Sequence, residues 1–386
     1  MREGWRTVRL GDLCALTKGA YATEKTKPGP YPLVVTAGSF RTADSYQLQG
    51  EAVCIPTISS TGHGHASLKR VHYVHGKFAV ANLLVAAQPR PESLIDTRWL
   101  WLYLDHRREE LIVPLMQGTA NVNLKPSQLA NIPIDLPPLT EQRHIVDLVY
   151  AIDEARCGAR VSVASQQTAG ALLRTIEAET ADWTTLSQVV LRAKAGATPS
   201  RSEPGYWGGH VPWLKSAEVD ADHIRTTSET ITERGLAEPS AWIMPSGTVV
   251  VAMYGQGLTA GSVGYTDAPM CANQAVLGLV PNAKLVQPRF LFHWLRGRKD
   301  AMRQRRTGSS QPNLNKELVL QERVPVLDVA REQEVAAVLD DLAANAQAAD
   351  AVDDALVQLR GALLADLLSG DHVIPASYDR FLDGAA

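Results

Sequence analysis

The chain has 386 residues, 45% hydrophobic and 20% charged, enough for two or three compact units and too ordinary in composition for a disordered chain, a collagen-like repeat or a disulfide scaffold. Net charge is −3, unevenly placed: from Asp328 to Ala386 twelve acids stand against three Arg, a local −9 that leaves +6 on residues 1–327. A basic body with an acidic tail is compatible with a nucleic-acid partner without establishing one.

The opening MREGWRTVRLGDL has no apolar signal region, which reads as cytosolic. Short β-type runs broken by Gly and Pro follow, YPLVVTAG, EAVCIPTI and KFAVANLLVAA. The last holds the longest apolar stretch, Phe78 to Ala87, which Asn82 interrupts and which is about half the length of a membrane span. A helix with an aromatic stripe, Trp99, Trp101 and Tyr103, comes next, the stripe expected as core packing and not as a base-stacking platform.

At IPIDLPPLTEQ the pattern changes, and Thr140 with Glu141-Gln142 after two prolines predicts a helix start. Ile145, Leu148, Ile152, Ala155, Ala159, Ser162, Gln166, Ala169, Leu173 and Ile176 then fall on one heptad seam. The order repeats in the second half. GTVVVAMYG and NQAVLGLV read as strands, Phe290, Phe292 and Trp294 as the helix stripe, and RVPVLDVAREQ as the boundary. The second seam is Val335, Val338, Leu342, Asn345, Ala349, Val352, Leu356, Leu359 and Leu363. Each seam predicts a helix of about 39 residues, ~58 Å long, and two such rods in one chain most simply pair and hold two domains apart.

An internal repeat underlies this order. RWLWLYLDHR at Arg98 to Arg107 matches RFLFHWLRGR at Arg289 to Arg298, an offset of 191. The same offset carries Ala81-Asn82 onto Ala272-Asn273, Glu141-Gln142 onto Glu332-Gln333, and Gly170-Ala171-Leu172-Leu173 onto Gly361-Ala362-Leu363-Leu364. Trp5 and Trp183 open the halves at an offset of 178, so the second half carries about thirteen extra residues early on. The chain reads as a tandem duplication, each half a mixed α/β domain followed by a long helix.

Catalytic constellations are missing. There is no GxxxxGK[ST] loop, GxSxG elbow or HExxH helix. Asp135-Leu136-Pro137-Pro138 lacks the aromatic with which an amino-methyltransferase stacks a flipped base. Cys14, Cys54, Cys157 and Cys271 form no CxxC pair. His63, His65, His72 and His75 with Cys54 are spaced as zinc ligands can be, but no acidic or thiolate partner is in step with them; surface or DNA-facing histidines are the favoured reading, so no metal and no catalytic residue is expected.

Hydrogen-bonding and basic loops remain. In the first half they hold Thr57, Ser59, Ser60, Thr61, His63, His65, Lys69 and Arg70, and in the second Thr198, Ser200, Arg201, Tyr206, Trp207, Lys215, Ser216, Tyr254 and Gln256. Nine Arg or Lys against three acids between Arg289 and Arg323 add Arg303, Arg305 and Arg306, which flank the Thr307 to Asn313 loop; taken alone, such a run reads first as a solvated helix face. Two related loop sets on a rigid spacer look more like a divalent reader than like a pocket.

Three passages resemble the specificity (S) subunits of type I restriction-modification enzymes. AGATPSRSEPGYWGGHVPWLKSAEV (Ala195 to Val219) is similar to the opening of a target-recognition domain, IPIDLPPLTEQRHIVDLVYAID (Ile132 to Asp153) to the passage into the central conserved helix, and LRGALLADLLSGDHVIP to the distal helix and its exit. Val326-Leu327-Asp328 replaces the Pro-Pro-Leu of the pattern, while Arg331-Glu332-Gln333 keeps the rest.

The resemblance implies a mixed α/β fold with a pseudo-twofold repeat: target-recognition domains at 1–138 and 181–327, long antiparallel coiled-coil helices at 139–180 and 328–370, and a tail at 371–386. It implies a non-catalytic subunit reading a split site in double-stranded DNA, one domain per half-site, with the helices setting the spacer. Two methyltransferase (modification) subunits would supply S-adenosylmethionine-dependent adenine-N6 methylation, and restriction/translocase subunits ATP- and Mg-dependent cleavage, so this chain would hold no cofactor and meet no membrane. The rival from another class is a stand-alone scaffold using the rods as an interaction arm.

Overall fold

The structure, a computed structural model, describes residues 4–59, 66–116, 124–156, 158–238, 241–254, 259–305, 313–370, 372, 374, 375 and 378. They form two compact units: Met1–Arg156 with Asp353–Ala386, and Cys157–Val352.

The first unit is built on a six-stranded sheet in the order Cys14–Lys18, Leu84–Pro89, Leu48–Pro56, His72–Val80, Tyr31–Val34, Arg41–Ala43. All neighbours are antiparallel except Tyr31–Val34, which runs parallel to His72–Val80. Successive side chains of a strand point to opposite faces, and here both faces are covered. Val53, Ile55, Val85 and Ala87 join one hydrophobic cluster with Trp99 and Leu100, whereas Ala52, Cys54, Leu84 and Ala86 join another with Leu33 and Phe78. Two buried faces explain why these runs are apolar almost throughout. KFAVANLLVAA is nevertheless two strands, because the chain reverses where the Leu84 amide donates to the Ala81 carbonyl at 2.9 Å.

The second unit divides its strands between a four-stranded sheet, Val190–Ala195, Val276–Pro281, Val249–Ala252, Val263–Tyr265, and a three-stranded one, Glu229–Ile231, Trp207–Leu214, Cys271–Ala272. Here too a single parallel pairing, Trp207–Leu214 with Cys271–Ala272, is among the described ones. In each unit a loop backbone crosses this point so closely that only glycine fits. A Cβ on Gly19 would lie 2.0 Å from the Ala81 carbonyl oxygen, and one on Gly196 2.1 Å from that of Ala272.

Each unit is closed by a two-stranded ribbon, Arg6–Arg9 with Pro133–Leu136 and Trp183–Thr185 with Arg323–Pro325. Each also carries the aromatic helix, α1 (Thr97–His106) or α4 (Pro288–Gly297). Trp99 and Tyr103 stack at 5.1 Å and Phe290 and Trp294 at 6.4 Å, all four buried. The stripes are core except at Trp101, which is half-buried.

Three long helices follow: α2 (Leu139–Ala155), α3 (Gly158–Glu179) and α5 (Val329–Ser369). The first seam predicts one helix, but the chain leaves helical geometry at Arg156 (φ −72°, ψ 51°), two residues before Gly158, whose missing side chain weakens helix continuation. The second helix is continuous; Val335, Leu342, Ala349, Leu356 and Leu363 of its expected seam are buried or half-buried, but the alternate positions of the seam lie one residue away from the expected ones. Val338, Asn345, Val352 and Leu359 are exposed, while Val335, Leu339, Ala346, Leu364 and Leu367 are buried.

The ends of the seams are apolar and the middle is polar. Within the first unit Ile145, Val146 and Val149 of α2 pack with Leu364, Leu367 and Leu368 of α5, and beyond them Asp153 meets Arg360 at 2.8 Å and Arg156 meets Asp353 at 3.0 Å. Within the second unit Ile176 packs with Val335 and Leu339, and Ser162 donates to Asp350 at 3.2 Å. Both pairings are antiparallel. Among the described residues no helix is long and apolar enough to cross a membrane.

A buried side chain joins each long helix to its α/β part. Gln142 accepts from the Asp96 amide at 2.7 Å and donates to the carbonyls of Leu94 and Pro137. In the second unit the Gln287 amide donates to Glu332 at 2.6 Å. The structural equivalent of Gln142 is therefore Glu332, one residue from the sequence match of Glu141-Gln142 with Glu332-Gln333. Hydrogen bonding likewise equates Val80-Ala81, and not Ala81-Asn82, with Ala272-Asn273, since the amides of Ala81 and Asn273 donate to Val34 and Leu214.

Candidate nucleic-acid interface

Residues 14–90, which contain the whole six-stranded sheet of the first unit, carry eight Lys or Arg against three acids. Lys69 and Arg70 are exposed on the loop before His72–Val80 and, with Phe40, His72, Tyr73 and Trp101, line a cavity of about 420 Å³. Burial and the Arg70 charge push the His72 imidazole below its ordinary value, so it lines the cavity neutral at pH 7. Ser59 accepts from the Ser67 amide at 3.1 Å, and Thr57 is spent on the Leu83 carbonyl at 2.9 Å. Ser60, Thr61, His63 and His65 lie outside the described residues. Cys54 stands opposite His72 in the sheet, its thiol pushed up to about 12 by burial, and among the described residues no group of His, Cys, Asp or Glu is arranged to hold a metal ion.

The second unit gathers more of the candidates. The Arg201 guanidinium lies over Trp207, 3.7 Å from the ring centroid and 5.1 Å from that of Trp213, and donates to Glu229 at 2.7 Å. That hydrogen bond holds the Glu229 carboxyl below the usual carboxylate range. Lys215 approaches the other Glu229 oxygen at 3.8 Å. Trp207 donates to the Ser200 carbonyl at 3.1 Å, the Ser200 hydroxyl meets that of Ser202, and Thr198 donates to Gln274. Thr198, Ser200, Arg201, Trp207 and Lys215 are thus drawn together. Tyr206 lies under Arg234, Ser216 opens the turn capped by Glu218, and Tyr254 packs partly into the core, where burial raises its phenol. Gln256 lies outside the described residues.

Sequence reasoning missed Glu229, Trp213 and Gln274 here, and Glu24 and Arg41 in the first unit. Arg41 meets Glu24 at 3.0 Å and donates to the Thr23 carbonyl at 3.2 Å. No linear signal marks these residues, because strand pairing brings them together.

The basic run from Arg289 is largely neutralised inside its own unit. Arg289 pairs with Asp340, Arg296 with Asp222, Arg298 with Glu177 and Lys299 with Asp220. Arg303 meets Asp300 at 3.5 Å and covers Gly261, while Arg305 pairs with Glu322, which is 2% exposed. Arg306 lies outside the described residues. Among the described residues, Arg305→Ala would leave the buried Glu322 carboxylate the longer 3.9 Å contact to Arg298 as its one remaining ion pair. A loss of about 1–2 kcal/mol is expected in denaturant melts, so weaker DNA retention by this variant must be read against its stability.

Asp135 is occupied by structural partners. Thr7 donates to it at 2.8 Å, Arg107 pairs with it at 3.3 Å, and it sits inside the closing ribbon.

The family model for the type I restriction modification DNA specificity domain matches residues 2–156 and 181–350. The chain is 27% identical over 158 residues to the type I restriction enzyme MjaIX specificity subunit of Methanocaldococcus jannaschii; that match covers 39% of this chain and 36% of the relative, about a third of its length. The type I restriction-modification S subunit from M. genitalium has the same fold, with a TM-score of 0.65 at 16% identity over 94% of this chain and 96% of that one. A chain from a structure concerned with complex assembly and conformational transition of the type I R-M system gives a TM-score of 0.53 at 19% identity, over 96% and 99%. With two matches covering most of its length, each on a unit of the same build, the chain belongs to the type I restriction modification DNA specificity domain family.

Proposed function

We propose that the chain is the non-catalytic DNA sequence-specificity subunit of a type I restriction-modification complex. Each α/β domain, at 1–138 and 181–327, reads one half of a bipartite duplex target. The long helices, 139–180 and 328–370, set the unread spacer and dock two modification subunits. Those subunits bind S-adenosylmethionine and methylate adenine N6 after flipping the base, and restriction subunits join with ATP and Mg²⁺; the work is done in the cytoplasm. One observation carries the reading: a single chain holds two α/β units with the same glycine crossing beside the same parallel strand pairing. Acidic helices suit protein partners, since phosphate repels them.

Single-molecule sequencing of methylated adenines, in cells with and without this chain, is expected to show one split motif that disappears with it. The same assay tests the spacer. Four residues added to the first long helix and matched in α5 add ~6 Å of rod, against ~3.4 Å per base pair, so the motif should keep its bases and gain one or two unread positions. An active variant that methylates only the original spacing would remove the ruler from the account.

A further inference from the structure

The two units contain the same loop-to-strand ion pair with its charges exchanged. In the first, Glu24 stands five residues after the crossing glycine, Gly19, and pairs with Arg41, the first residue of the edge strand. In the second, Arg201 stands five residues after Gly196 and pairs with Glu229, again the first residue of the edge strand. The register fixes the equivalence. Leu33 is opposite Arg41 and Trp213 opposite Glu229, Pro32 opposite Thr42 and Pro212 opposite Thr230, Tyr31 opposite Ala43 and Val211 opposite Ile231. No sequence offset reveals it, since Glu24 and Arg201 carry opposite charges.

Each pair thus holds one guanidinium at the same topological place. Arg41 is 51% exposed and Arg201 55%. Arg41 is held at both terminal nitrogens, by Glu24 and the Thr23 carbonyl, and Arg201 by Glu229 and the face of Trp207. A guanidinium has five N–H donors, so one held by a carboxylate and half-exposed keeps donors for the two acceptors, O6 and N7, that guanine presents in the major groove. Fixing the side chain beforehand removes much of the ordering cost of binding. A surface pair built for stability alone would be worth little in either orientation and would have no reason to keep its place while its charges changed over.

We infer that Arg41 and Arg201 are the equivalent specificity-determining residues of the two units, each reading one guanine of its half-site, with Glu24 and Glu229 as positioning residues. The inference rests on the proposed DNA-reading role and sharpens it.

The test uses the full chain with its modification subunits, mapping methylated motifs and measuring binding to duplexes substituted base by base. Arg41→Lys and Arg201→Lys keep the charge and lose the fork. Each should cost on the order of ten- to a hundredfold in discrimination at one guanine, in different half-sites. Glu24→Gln and Glu229→Gln should blur the same two positions by a smaller factor, a readout that a purely stabilising pair would not move. Thermal melts matching wild type confirm that each variant is folded. Both arginines altering one half-site, or a uniform loss of affinity with a salt slope smaller by about one and no base preference changed, would overturn the assignment. A wild-type complex that selects no motif would overturn the DNA-reading role itself, and a wild-type motif untouched by either lysine variant the arginine assignment alone.

Discussion

Replacing Glu332 by Gln should stabilise the second unit, and more so at pH 8 than at pH 5. Glu332 is 1% exposed, and burial, partly offset by the Gln287 amide, pushes its carboxyl up to about 7. A group whose folded value is raised above its unfolded value contributes stability that is present below the unfolded value, ~4.3, and lost as pH rises through the folded one. Above pH 7 the loss reaches about 3 kcal/mol. Glutamine does not titrate, and the first unit already shows that it fits the joint: Gln142 accepts the equivalent amide at 2.7 Å and satisfies two carbonyls as well. Glu332→Gln is therefore expected to gain about 1–3 kcal/mol at pH 8, several degrees in Tm, with a clearly smaller gain at pH 5. Equal gains at both pH values would mean that the carboxyl is not the source.

The second large effect runs the other way. Asp340 on α5 receives Arg289 and, at 2.6 Å, His293 from α4, and Arg289 also donates to the Asp222 carbonyl at 2.7 Å. Burial pushes the His293 imidazole below its ordinary value, and although burial of Asp340 opposes it, the bonds from Arg289 and His293 hold the Asp340 carboxyl below its own. Both directions give stability that is lost as pH falls. Asp340→Ala strands Arg289, 12% exposed, and His293, 6% exposed. A loss of about 2–3 kcal/mol is expected, the lower end for a broken buried pair because Asp340 keeps an edge in water. Denaturant melts check it. The equivalent joint of the first unit, Arg98 over Tyr150 at 5.4 Å, contains no such carboxylate, so Arg98→Ala should cost less.

What the sequence disclosed follows from how local each signal is. The duplication is visible because α1 and α4 keep their aromatic spacing, and aromatic residues bury most of their area wherever the backbone holds them. Alternate positions of the α5 seam are displaced by one residue in the linear reading, because Asp353 and Arg360 stand where Val352 and Leu359 look the better seam residues, and no apolar pattern marks an ion pair. The basic run from Arg289 looks like a charged face in one dimension; its partners Glu177, Asp220, Asp222 and Asp340 lie tens of residues away. Arg201, Trp207 and Lys215 were legible as candidates from residue type, whereas Glu229 and Arg41 appear only when strand register places them beside the loop.

The central claim is that two independent recognition units read two half-sites. It is tested most directly by exchanging residues 183–325 for the corresponding segment of a family member with a different target and mapping methylated adenines in cells that carry the exchanged chain with its modification subunits. The expected motif has one half-site replaced, while the other half-site and the spacer are unchanged. A motif altered in both halves, or one not altered at all, would contradict it.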